Sequence, residues 1–308
     1  MTKYVVSGYI GFDNFGDEAI ASVLVDKLKS KDADEITLIS SNPKRTEEIH
    51  GVKSCGMFDF FFALYKADVL ISGGGSLLQD VTSLKSLIYY LGVIFTALIL
   101  HKRVEIFAQG IGPINSKIGQ FLAKNILKQV DFISVRDKKS QELLQNWGIT
   151  SELVKDPVFD IKIEKQNAKG IAGIQLRDFA GVDDKFLNKL ADIVAEKFED
   201  KKIKIISLQD SVDLKVCEHF YEMLKRRKHK DVQILSNLSL DSAIKSIAGL
   251  EYLVGMRFHA NVVAINAGVK TLCINYDPKV ERLAEEYELP IINLADENFS
   301  YAFDKLLS

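Results

Sequence analysis

Cysteine, proline, tryptophan and net charge are all scarce in this chain. Its 308 residues include three cysteines, five prolines and one tryptophan. Cys55, Cys217 and Cys273 show no metal-ligand spacing and are too few for a disulfide framework, which excludes a small stapled scaffold and fits a reducing compartment. Forty Lys and Arg against 42 Asp and Glu leave a net charge of −2. No nucleic-acid partner is therefore expected, and any recognition of phosphate has to be local. Runs long enough to span a membrane are missing too. The apolar stretch from Leu87 to Leu100, bounded by Lys85 and by His101-Lys102-Arg103, falls short of the ~20 residues a bilayer requires. It reads as a core helix or, alternatively, as a helix lying in a membrane surface. A second run, Met57 to Tyr65, is unusually aromatic and leaves the same choice between half-burial and lipid contact. The opening MTKYVVSGYIG lacks the apolar core and small-residue cleavage site of a signal peptide and reads as a buried strand. The expected location is the cytoplasm, with association with the inner face of the plasma membrane left open.

What is present is an ordinary globular composition, 47% hydrophobic and 27% charged, in a chain too long for one core. Short β-branched runs alternate with helical periodicity and are punctuated by glycine, the pattern of parallel sheets covered by helices. In the first half the strands are expected at 4–7, 35–39, 69–72, 104–109, 132–135 and 153–154, with helices at 18–29, 83–101, 117–129 and 138–147. After the polar stretch between Asp160 and Lys169, the best linker candidate, the series restarts. Strands are then expected at 171–176, 203–208, 232–235, 252–254 and 271–275, with helices at 184–198, 211–227, 240–248 and 261–267. The expected fold class is therefore α/β, two tandem Rossmann-like doubly wound domains, residues 1–160 and 170–308, with ligands at a cleft between their strand ends. A closing helix near 298–307 could pack on either domain.

The most informative stretch is Gly255-Met256-Arg257-Phe258-His259-Ala260, where a buried strand hands over to a helix. Amide groups at a helix start favour anions, arginine presents a planar fork that fits phosphate or carboxylate, and histidine moves protons near neutral pH. The bland alternative pairs Arg257 with a carboxylate and makes His259 a helix cap. Arg177 and Lys279 also follow predicted strands, so the three cations should share one sheet edge with His259 among them. In the first domain, the loop from Gly8 to Glu18 is not the spaced dinucleotide fingerprint, and no acid ends the second strand to hold a ribose, which disfavours hydride transfer. Gly73-Gly74-Gly75-Ser76, Gln109-Gly110-Ile111-Gly112-Pro113 and Arg136-Asp137 repeat the strand-to-turn arrangement. Together Gly11, Asn14, Gly74, Gly75, Ser76, Gln109 and Arg136 make a rim suited to a polar, bulky ligand such as a sugar. Ser76 is a candidate helix cap and Asp137 the expected N-cap of the helix after strand five. Asp17 stands in a first helical turn facing the cleft, or else, with Glu18, merely complements the helix dipole. The run Lys225 to Lys230 reads as a solvated helix end, and His50, His101 and His219 as surface or packing residues without partners by spacing.

These segments, with Asp156-Pro157 and Tyr276-Asp277-Pro278-Lys279 added, resemble the polysaccharide pyruvyl transferases, most closely the CsaB-type enzymes of bacterial cell walls. The resemblance runs in order over nearly the whole chain and is weakest from Lys162 to Ser242. It implies a GT-B-like pair of Rossmann-type domains, phosphoenolpyruvate as donor, a lipid-linked N-acetylmannosamine-containing acceptor and a 4,6-linked pyruvate ketal as product. A role in making the secondary cell-wall polymer that anchors an S-layer goes with it, as does peripheral contact with the membrane. By the same resemblance Arg257, His259 and Lys279 belong to the donor site, with Arg177 beside them; His259 is the proton donor, Asp17 the candidate base, and the glycine rim faces the acceptor. The scheme calls for no cofactor and no metal, and the oligomeric state stays open. Two alternatives share the architecture: a GT-B glycosyltransferase using a nucleotide-sugar, and a non-catalytic wall-polymer binding protein.

Overall fold

Two parallel sheets, each sandwiched by helices, account for the chain, and a computed structural model describes residues 2–31, 33–164, 166 and 169–308. The chain divides into Met1–Ile161 and Lys162–Ser308. Of the expected linker, Lys165, Asn167 and Ala168 lie outside the described residues.

The first unit runs β1 (Lys3–Ser7), α1 (Phe15–Lys29), β2 (Glu35–Ser40), α2 (Pro43–His50), β3 (Lys53–Gly56), α3 (Phe60–Lys66), β4 (Val69–Gly73), α4 (Leu84–Ile99), β5 (Arg103–Gln109), α5 (Lys117–Leu127), β6 (Phe132–Val135), α6 (Lys138–Asn146) and β7 (Glu152–Leu153). All neighbouring pairs are parallel, in the order β3-β2-β1-β4-β5-β6-β7, so the order reverses beside β1 and β4, where sheets of this kind bind ligands. One face is sealed by α1, with Ala21, Leu24 and Leu28 on Val6, Leu38 and Ile71; the other by α3, α4 and α5, with Leu64, Leu91, Ile94 and Leu127 on Leu70 and Ile106. Helix starts are set by side-chain caps: Asn14 accepts from the Gly16 amide, Ser83 from Ser86, Ser116 from Gly119 and Asp137 from Ser140. The cap before α4 is thus Ser83 and not Ser76, because the glycine loop continues for several residues before the helix begins.

The second unit repeats the plan with β8 (Ile171–Gln175), α7 (Asp184–Lys197), β9 (Lys202–Ile206), α8 (Asp210–Arg226), β10 (Val232–Leu235), α9 (Leu240–Ala248), β11 (Tyr252–Gly255), α10 (Phe258–Ala267), β12 (Lys270–Asn275), α11 (Pro278–Glu286), β13 (Ile291–Asn293) and α12 (Ser300–Leu307). Its parallel sheet has the order β10-β9-β8-β11-β12-β13. The closing helix α12 belongs to this unit: Phe303 and Leu306 are buried in the same cluster as Phe198 and Ile292, and Lys197 pairs with Asp304 at 2.8 Å. Burying these large side chains, each worth roughly 1.5–3 kcal/mol, fixes α12 against its own sheet.

Candidate functional site

Strands β8, β11 and β12 are adjacent, so Arg177, Arg257, His259 and Lys279, each just past a carboxyl end, lie along one stretch of the second sheet's edge. Direct contacts tie these strand ends together. The Arg177 amide reaches Met256 Sδ at 3.3 Å, and its guanidinium stands 5.6 Å from the centroid of the Tyr276 ring. Arg177 Nε is buried without a hydrogen-bond partner, and among the described residues this arginine forms no ion pair. Lys279 is partly exposed, with Nζ 3.6 Å from Asp277 Oδ2. Arg257 occupies the N-cap position of α10 and makes no side-chain capping bond, while His259 stands in the first turn of this ten-residue helix with its ring edge-on to Phe258.

Arg257 itself is engaged. Its Nε and Nη2 donate to the two oxygens of Asp213 at 2.7 and 2.6 Å, Nη2 also reaches Gln209 Oε1 at 3.0 Å, and its amide donates to Gln175 Oε1 at 2.7 Å. Asp213 is fully buried and further accepts from the Leu208 and Gln209 amides. The expectation of a guanidinium open to an anion is corrected here: a buried guanidinium needs a counter-charge, and α8 supplies it from 44 positions upstream, beyond the reach of spacing arguments. Locally the pair is neutral, and Lys279 stands against Asp277, so among the described residues the unpaired positive charge of this set is that of Arg177, with Arg257 Nη1 left outside the pairing. The packing around the motif is equally tight: a Cβ on Gly255 would lie 2.1 Å from Asn261 Oδ1, which is why glycine ends β11.

The glycine loops of the first unit are filled largely by α1. A Cβ on Gly74 would lie 2.1 Å from Ile20 Cγ2, and one on Gly75 2.7 Å from Asp17 Oδ1. The close approach expected of a ligand is therefore, at Gly74, an approach of the helix. Asp17 lines a crevice with Gly8, Tyr9, Ile10, Gly73 and Gly74 whose volume of about 10 Å³ suits one water and not a sugar ring. Gly11 donates to Glu18 Oε1 at 2.8 Å, and Glu18 Oε2 meets His50 Nε2 at 2.8 Å, both side chains buried. His50 thus has a partner 32 residues away and is no surface residue, and His219 meets Asp184 at 2.8 Å. Arg136 pairs with Asp156 at 2.7 Å and donates to Ser76 Oγ at 3.0 Å. Gln109 is fully buried, with Nε2 3.3 Å from Ser72 Oγ and Oε1 lacking a partner. A larger concavity of about 520 Å³, lined by Asp131, Phe132, Ile149 and Glu152 among others, lies at the amino ends of β6 and β7, the edge opposite the one where parallel sheets take ligands.

One residue near Asp17 carried no sequence signal. Tyr90, from the buried face of α4, donates to the Gly8 carbonyl at 3.4 Å, and burial reinforced by the Asp17 carboxylate pushes its phenol well above the usual range. It stays a donor at any physiological pH. Asp213, Gln175 and Gln209 escaped notice as well; the only hint was the carboxylate in the first turn after the second strand of that unit.

Two doubly wound parallel sheets in tandem define a GT-B-like α/β protein. The chain belongs to the polysaccharide pyruvyl transferase family, whose sequence model matches residues 14–278, and is accordingly a transferase. No curated protein matches the sequence. Among solved structures it is similar to the S. aureus MnaA-UDP co-structure, at 12% identity, a TM-score of 0.71 and coverage of 100% of this chain and 88% of that one. It is likewise similar to Anabaena Alr3699/HepE in complex with UDP-glucose, at 11% identity, TM-score 0.64 and coverage of 100% and 89%. A putative UDP-N-acetylglucosamine 2-epimerase from Listeria monocytogenes is similar at 9% identity, TM-score 0.64 and coverage of 99% and 87%. At such identities the likeness is one of fold.

Proposed function

We propose that this pyruvyl transferase takes its three-carbon unit from phosphoenolpyruvate and places it as a 4,6-ketal on a lipid-linked, N-acetylmannosamine-containing cell-wall precursor, releasing phosphate. The observation that supports the reading most is the family match across both sheets, which includes the edge bearing Arg177, Arg257 and His259. The donor is small and carries phosphate and carboxylate together. Arg177, with its buried unpartnered Nε, and Arg257, held rigid by Asp213, offer planar donors to such groups, and Lys279, partly exposed beside Asp277, adds an ammonium group.

In the proposed reaction His259, or a water it orients, protonates the methylene carbon of the donor, giving a methyl group and an oxocarbenium-like centre. One sugar hydroxyl attacks that carbon while Asp17 accepts its proton. The carbon–oxygen bond to phosphate then breaks, phosphate departs toward the cations, and the second hydroxyl closes the ketal as its proton passes to solvent. Asp17 lies beside Gly75 and the protonated Tyr90, and in this reading its carboxylate is the base on the acceptor side. The working site is the cytoplasmic side of the cell membrane, where lipid-linked precursors of this kind are built, and the product would serve S-layer anchoring.

The test is phosphate release from phosphoenolpyruvate with and without a synthetic lipid-linked disaccharide. Release should depend on the acceptor, and His259→Ala should lower it by about 10²-fold or more with folding intact. Near-normal transfer by that variant would reject the assignment. Two of the fold relatives are complexes with UDP and UDP-glucose, so consumption of a UDP-sugar without binding of phosphoenolpyruvate would instead make this a glycosyltransferase.

A further inference from the structure

Helices α3, α4 and α5 form one layer over the first sheet, with α4 between its two neighbours. Their inner faces build the core, through Leu64, Leu87, Ile94 and Leu127. Their outer faces also carry large apolar side chains. On α4, Leu84, Ile88, Phe95 and Ile99 stand at spacings of four, seven and four residues, one stripe of a 3.6-residue helix, and the space beside Gly92 on the same stripe is open. Phe62 is 70% exposed on α3, Phe58 is 90% exposed just before it, and Phe121 is 68% exposed on α5. Large aromatics left in water on or beside three adjacent helices are of the kind that marks an interaction surface.

Charge on the three helices is positive, with Asp59, exposed at the N-cap of α3, as an acid beside them. The three helices carry Lys66, Lys85, Lys117 and Lys124 and not one Asp or Glu, in a chain where acids outnumber Lys and Arg overall. An apolar stripe edged by lysines, whose long stems lie along apolar surface while their ammonium groups stay at the polar boundary, matches an anionic lipid interface. A second copy of the same face would match it less well, since a two-fold contact would set four lysines against four lysines with Asp59 alone among these residues to offset them. No described helix is long and apolar enough to cross a membrane, so the layer would lie on the bilayer and not in it.

We infer that the α3–α4–α5 face docks this transferase on an anionic bilayer. Its functional meaning rests on the reading of a lipid-linked acceptor. Helix α4 joins the two: its outer side carries Ile88 and Phe95, while Tyr90 on its inner side reaches the Gly8 carbonyl next to Asp17. A precursor held by its lipid in the membrane would thereby have its sugar brought toward the glycine-rich edge of the unit that rests there.

The experiment is co-sedimentation of the full chain with vesicles of phosphatidylglycerol and phosphatidylcholine, against phosphatidylcholine alone, at low and high salt. The protein should bind the anionic vesicles and release them as salt rises. F58S/F62S/F95S/F121S, all exposed positions, should lower the bound fraction at least tenfold, with circular dichroism confirming the fold. K85E/K117E/K124E should lower binding by at least fivefold per lysine while leaving transfer onto a short water-soluble acceptor unchanged. Failure to bind anionic vesicles, binding indifferent to both variant sets, or self-association that the same variants abolish would overturn the inference. The vesicles contain no acceptor, so docking is read independently of transfer: docking here with no pyruvyl transfer in the phosphate-release assay would sink the functional reading alone, and transfer there with no docking here would sink this one alone.

Discussion

At the residue scale the Arg257–Asp213 pair decides how the donor edge is built. Removing Asp213 strands a buried guanidinium, so Asp213→Ala should cost about 3–5 kcal/mol of stability, read from urea unfolding. The double variant R257M/D213L should recover most of that loss and still lack activity, because an apolar pair replaces the ion pair in packing but not as a donor. Recovery of activity along with stability would mean that Arg257 serves the fold alone. The thiols give a second prediction. Burial pushes Cys217 and Cys273 up to about 12 and Cys55 to about 11. With thiolate the reactive form, native protein at pH 7.5 should take up no iodoacetamide at Cys217 or Cys273 by mass spectrometry, whereas guanidinium-unfolded protein should react at all three. The sequence made the residue types legible, arginine and histidine at a strand end, because local rules govern where a strand hands over to a helix. It did not reveal that Asp213 would meet Arg257 or that Glu18 would meet His50, since such pairs form only when separate helices pack on one sheet.

At the scale of elements, the expected strands and helices that were long and strongly patterned were found within a few residues of their expected bounds, β6, β10 and α9 at the same bounds. The elements missed were α2, whose residues are mostly polar, α3, which is apolar nearly all round, the short strands β3 and β13, and α11, a nine-residue amphipathic helix behind Asp277-Pro278 that was read as a loop carrying Lys279. The glycines were legible as places of close approach, but what approaches Gly74 is Ile20 of α1. Gly74→Ala should therefore destabilise the first unit by roughly 1–3 kcal/mol through overpacking. Combining it with Ile20→Ala should cost less than the sum of the two single changes, because the shortened side chain makes room for the new methyl group. Additive costs in that double-mutant cycle would show that the glycine serves some other contact.

For the whole molecule, each sheet has its own core, and the proposed chemistry divides between them: cations at one edge, a carboxylate and a phenol at the other. Phosphoenolpyruvate at about 100 times its dissociation constant should add ~2.7 kcal/mol to the unit that binds it. Amide exchange should then slow at the ends of β8, β11 and β12, and protection confined to residues 1–161 would misplace the donor site. The protonation step allows the most direct measurement of all. With phosphoenolpyruvate and the lipid-linked acceptor in D₂O, the proposed reaction predicts a 4,6-ketal whose methyl group carries one deuterium, seen by NMR and mass spectrometry, with one phosphate released per ketal. An acceptor recovered without the three-carbon unit, or a ketal methyl group without deuterium, would contradict it.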